Sequence, residues 1–72
     1  MYFMKPYKNV AISRINDKYF KRGEVVHLSV KSDYGFVVRD NVSINSDDTD
    51  FIFMFNATDK EIDKVVNSII NE

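Results

Sequence analysis

Residues 51–61 read Phe51-Ile52-Phe53-Met54-Phe55-Asn56-Ala57-Thr58-Asp59-Lys60-Glu61, and the two halves of this stretch obey different periodicities. Phe51 to Phe55 is apolar at five consecutive positions. A strand with one wet face alternates apolar and polar residues, so an unbroken run predicts a strand covered on both faces. The reading is a central strand, with a helix on one side and sheet or a partner on the other. Thr58-Asp59-Lys60-Glu61 then has the form of a capping box. In it the Thr hydroxyl accepts the third helical amide and the Glu carboxylate returns to the cap amide. Ile62, Val65, Val66, Ile69 and Ile70 follow at the spacing of one helical face. The expectation is an amphipathic helix over 59–71 whose stripe faces a core. Its β-branched stripe has low intrinsic propensity, so packing has to hold it.

Upstream, the apolar pattern has period two. Val10 and Ile12 alternate with Ala11 and Ser13, and Glu24–Lys31 alternates Val26, Leu28 and Val30 against Val25, His27, Ser29 and Lys31. Lys31-Ser32-Asp33-Tyr34-Gly35 reads as a turn, because Gly35 can take positive φ and Asp favours turns. Phe36–Arg39 is the next strand, Asp40-Asn41 a two-residue hairpin, and Val42–Ile44 the antiparallel return. Ser46-Asp47-Asp48-Thr49-Asp50 is a polar loop in which Asp48 and Asp50 flank the apolar run as gatekeepers. Strands first and one helix last predict a single α+β domain over 1–72, with strands within 8–55. The expected architecture is a small antiparallel sheet of four or five strands with the C-terminal helix packed on it.

Tyr19-Phe20-Lys21-Arg22-Gly23-Glu24-Val25-Val26, followed by Tyr34-Gly35-Phe36-Val37-Val38, resembles the cadence of SH3-like barrels. In those, a hydrophobic-basic-Gly-acidic turn enters a strand and an aromatic strand follows. The resemblance spans residues 19–39, implies a barrel-like sheet, and carries no functional residue with it.

At 72 residues there is room for one domain, and so small a fold buries a modest fraction of its surface. There is no Cys, which excludes disulfide staples, thiolate zinc sites and a Cys nucleophile. Ten Phe and Tyr residues offer compensating apolar area. No segment has the roughly 20 apolar residues that span a bilayer, and Met-Tyr-Phe-Met is too short for a signal core. The expected compartment is the cytoplasm, with no membrane partner.

His27 is the only histidine and Gly23 and Gly35 the only glycines, so neither a catalytic triad nor a Gly-rich phosphate loop can be assembled. Asn45–Asp50 has calcium-loop spacing at its start, but the sixth position is Asp50 and the twelfth is Asn56, where an EF-hand needs Gly and Glu. The expectation is a chain that is not an enzyme and has no metal or cofactor.

Charge gives the remaining clue. The net charge is −1, yet residues 1–39 hold eight of the ten bases and three acids, whereas residues 40–72 hold two bases and eight acids. Asp47, Asp48, Asp50, Asp59 and Asp63 are the candidate acidic surface for a larger protein partner with a basic groove. That reading is a small regulator or inhibitor of phage or mobile-element type, similar in size and composition to anti-restriction and anti-CRISPR inhibitors. The alternative is a small β-barrel that binds nucleic acid through Lys18, Tyr19, Lys21, Arg22 and Arg39, bases for phosphates and an aromatic for unstacked bases. Against it, the isoelectric point near 5.7 lacks the basic footprint of a dedicated binder. A third expectation is a homodimer in which a second copy covers an apolar sheet face and the complementary halves meet head to tail.

Overall fold

The computed structural model describes residues 7–32, 35–39 and 42–72. Among these residues six strands, β1 (Lys8–Ser13), β2 (Val25–His27), β3 (Val30–Ser32), β4 (Gly35–Arg39), β5 (Val42–Ile44) and β6 (Phe51–Ala57), precede one helix, α1 (Asp59–Ile70). They form two antiparallel three-stranded sheets, in the orders β2-β1-β6 and β3-β4-β5. The fold is therefore α+β with a C-terminal helix. The single sheet of four or five strands is corrected to two sheets, and among the described residues their pairings do not close into a barrel.

The reason lies in the run Glu24–Lys31, which is one strand by periodicity and two by hydrogen bonding. The Leu28 amide still donates to the Asn9 carbonyl of the first sheet at 3.0 Å. One residue on, the Ser29 amide and hydroxyl donate to the Val37 carbonyl of the second sheet, at 3.2 and 2.8 Å. The run changes sheets between these residues, the way corners are turned in packed sheets.

The chain stacks in three layers. Val10 and Ile12 on β1 and Ala57 on β6 form one buried cluster with Ile62 and Ile69 of α1, flanked by Val25, Ile52, Met54, Val65 and Val66. On the other face of the first sheet, Ala11, Val26 and Phe51 pack with Phe20 and Ile44, flanked by Leu28, Val38, Val42 and Phe53. Helix and second sheet thus cover the two faces of the first sheet, as the apolar run Phe51–Phe55 requires. That run is not central, however. Among the described residues the middle strand is β1, and β6 is at the sheet's edge. Double-sided burial and central pairing are separate properties, and the sequence pattern reports only the first.

Thr58 caps α1 as expected. Its hydroxyl accepts the Glu61 amide at 3.2 Å, and Glu61 Oε1 accepts the Thr58 amide at 2.8 Å. Four of the five stripe residues pack on the core, whereas Ile70 is exposed and overlies Gly23. Lys8 pairs with Asp59 at 2.8 Å, tying the start of β1 to the start of the helix. The hairpin residues Asp40-Asn41 and the turn residues Asp33-Tyr34 lie outside the described residues. The pairing of Arg39 with Val42 nevertheless shows β4 returning antiparallel as β5.

Candidate interaction surface

The connection from β1 to β2, residues 14–24, is the largest irregular feature described, and its shape follows from one aspartate. Asp17 Oδ1 accepts the backbone amides of Tyr19 and Phe20, both at 2.8 Å. This Asx-type turn reverses the chain so that successive aromatics point apart. Phe20 is buried edge-on against Phe51, with ring centroids 5.0 Å apart. Tyr19 stands out from the surface at 52% exposure.

Tyr19 forms a ridge between two hollows of different charge. On one side lies a hollow of about 570 Å³ lined by Lys18, Lys21, Arg22 and Arg39, with Asp17 and Glu24. The five residues of the nucleic-acid reading, Lys18, Tyr19, Lys21, Arg22 and Arg39, are thus brought together. Their cations are not equally available. Arg39 lies over the Phe20 ring at 4.8 Å, pairs with Glu24 and donates to the Tyr19 carbonyl. Arg22 donates to the Ile69 carbonyl at 2.6 Å and lies 3.6 Å from the Glu72 carboxylate. Lys18 sits 5.0 Å over the Tyr19 ring, and Lys21 is exposed.

On the other side of Tyr19 lies a hollow of about 370 Å³, floored by Ile15, Phe20, Ile44 and Phe51 and rimmed by Asp17, Asp48 and Asp50. No base lines it. Asp48 Oδ1 accepts the Asp50 amide at 2.9 Å, which shapes the β5–β6 loop. Among the described residues none of these three carboxylates is in an ion pair.

The five residues of the acidic reading fall into two groups. Asp47, Asp48 and Asp50 precede β6, whereas Asp59 and Asp63 follow it on α1. A strand rises about 3.3 Å per residue, so the groups are about 20 Å apart along β6. Asp59 is also occupied by Lys8. Asp17, which belongs to the basic half by sequence, joins Asp48 and Asp50 in the fold. Its own signal was the Asx turn, which marks a bend without saying which distant loop will lie beside it.

Glu61 is held below the usual glutamate range by the Thr58 backbone amide and, to a lesser extent, by the Thr58 hydroxyl. This is helix capping and lies away from both hollows. Among the described residues no group of three or more His, Cys, Asp or Glu side chains is placed to hold a metal ion, and no helix is long and apolar enough to cross a membrane. Comparison of the chain with protein-family models, with curated proteins and with solved structures finds no match.

Proposed function

We propose that the chain is a small non-enzymatic protein-binding module, a regulator or inhibitor that occupies a basic surface of a larger partner. The observation that carries this reading is the hollow beside Tyr19. An apolar floor meets three carboxylates with no base in the lining among the described residues, and an exposed aromatic stands at its border. Aromatic anchors beside desolvated pockets carry much of the energy of protein interfaces, and complementary charge speeds and orients docking. The acidic contribution is narrowed to Asp48 and Asp50 with Asp17, leaving Asp63 outside the contact. Two three-stranded sheets sharing the bent run from Val25 to Ser32 support an SH3-like arrangement, a scaffold that leaves the loops of residues 14–24 and 45–50 free for binding. The phage or mobile-element origin rests on the chain's size and composition.

The experiment is capture of a partner from bacterial lysate by the tagged full chain. A basic protein retained by the native chain and by Asp63→Lys, and lost by Asp48→Lys/Asp50→Lys, supports the surface. Capture unaltered by the Asp48/Asp50 exchange removes it.

A second reading, nucleic-acid binding, is favoured by the shared hollow of Lys18, Tyr19, Lys21, Arg22 and Arg39. It ranks lower because Arg22 and Arg39 are engaged within the chain. If it holds, oligonucleotide affinity falls steeply with salt and with Lys21→Glu. Absence of binding at low salt eliminates it.

A further inference from the structure

We infer that two copies of this chain associate about Tyr19, each placing the basic side of its ridge against the acidic hollow of the other. Opposite charges lie side by side about this residue. Tyr19, Asp17 and Phe20 line both hollows, so these are neighbours on one surface and not separate sites. Lys18 and Lys21 lie on one side, and Asp48 and Asp50 on the other.

A surface divided in this way is complementary to itself. A two-fold axis through the dividing ridge brings each basic side onto the partner's acidic side, and every contact is made twice. This isologous arrangement differs from head-to-tail joining of the two sequence halves. Folding has already brought those halves together, through Lys8–Asp59 and Arg22–Glu72. Around Tyr19, Lys18 and Lys21 on one side and Asp17, Asp48 and Asp50 on the other are in no ion pair among the described residues. The overall net charge of −1 leaves little repulsion between copies to oppose the contact. The ridge supplies an anchor that a purely charged patch lacks, because Tyr buries a large area at low entropic cost.

The dimer rests on the same hollow as the proposed partner site, so a second copy and a basic partner compete for it. Self-association is measured on the purified chain alone, so its failure leaves the partner reading standing, and loss of partner capture leaves the dimer standing.

The test is sedimentation equilibrium of the full chain across micromolar to millimolar concentration, at low and high salt. The expected result is a monomer–dimer equilibrium weakened by salt. Lys21→Glu and Asp50→Lys, both at exposed positions, should each weaken association about tenfold, the scale of losing about 1.4 kcal/mol across two symmetric contacts. An equimolar mixture of the two variants should restore it, because Glu at 21 then faces Lys at 50 while native Lys21 faces native Asp50. Tyr19→Ala should weaken association in every combination. Circular dichroism of each variant checks that it is folded. A monomer mass at every concentration overturns the proposal. So does a dimer indifferent to both charge exchanges, or a mixture no stronger than its components.

Discussion

Arg22 Nη2 donates to the Ile69 carbonyl at 2.6 Å, joining the tip of the 14–24 connection to the last turn of α1 across 47 residues of sequence. The last turn holds no basic residue of its own, and the Ile69 carbonyl otherwise accepts the Glu72 amide at 3.3 Å. A cation from elsewhere adds a shorter, charged hydrogen bond to that carbonyl and meets the negative end of the helix dipole. Arg22→Ala should cost about 1–2 kcal/mol, in the range of hydrogen bonds made by charged groups. Urea unfolding would show a lower midpoint at unchanged slope, and Arg22→Lys should recover part of the loss. An alanine variant as stable as the native chain would mean that the contact contributes nothing.

The two glycines should respond differently to a methyl group. At Gly35 a Cβ would stand 2.0 Å from the Ile44 carbonyl oxygen, a backbone atom that cannot move without parting β4 from β5. Gly35→Ala should cost about 3 kcal/mol or more, enough to unfold much of a domain this small. At Gly23 the Cβ would meet Ile70 Cγ1 at 2.9 Å, but that side chain is exposed and can turn away. The residual cost of Gly23→Ala is the positive φ of 85°, about 1–2 kcal/mol. Truncating Ile70 should therefore rescue little of it, and thermal unfolding of the single and double variants measures the difference.

Local rules were legible in the sequence, and long-range juxtapositions were not. The capping box at Thr58, the helical stripe and the strand-forming runs at residues 10–13, 36–39, 42–44 and 51–55 follow from periods and turn chemistry that act within a few residues. The change of sheets at Leu28–Ser29 has no local mark, because both halves of the run keep the strand period. Burial of both faces of β6 was readable from Phe51–Phe55, while its edge position depended on which strand β1 chose as its second neighbour. The candidate surface shows the same division. Asp48 and Asp50 could be named as a loop, but Asp17 joins them only through the tertiary path of the 14–24 connection.

The capping box makes stability depend on pH in a defined direction. Glu61 is more acidic in the folded chain than in the unfolded one, because the Thr58 amide and then the Thr58 hydroxyl stabilise its charge. Between the two pKa values the unfolded chain binds the proton more readily, so stability there rises with pH. The contribution is complete above the unfolded value and is lost as pH falls through the folded one. Glu61→Gln should flatten the acid limb of the stability profile over that window while keeping the helix. Thr58→Ala should remove the same dependence and also cost about 1 kcal/mol at neutral pH through loss of the cap. Chemical unfolding between pH 3 and 7, a range chosen to span roughly the carboxylate titration, separates the two.

The outer edge of β6 sets a hazard as well as a boundary. Asn9 and Ser13 of β1 hydrogen-bond to the β2 side, while the Arg14 amide donates to the Asp50 carbonyl. By alternation Val10 and Ile12 bond to Met54 and Ile52, so the backbone groups of Phe53 point away from β1. Between Phe51 and Phe55 there is no Lys, no Pro and no charge, the usual devices that blunt an edge. The bulge at Asn56, with φ of 54° and its amide bonded to Asn9 Oδ1, bends only the strand's far end. Phe55 is 55% exposed, whereas Phe53 is half-buried among Phe36 and Phe51, with centroids 6.0 and 6.4 Å away. Phe55→Lys should therefore raise solubility and slow aggregation on heating while changing stability by no more than about 1 kcal/mol, the worth of its contact with Phe36. Phe53→Lys places a charge between two covered layers and should unfold the chain at moderate urea. Light scattering during a thermal ramp, paired with urea midpoints, distinguishes edge protection from core damage. Equal destabilisation by both substitutions would mean that the outer edge is already covered.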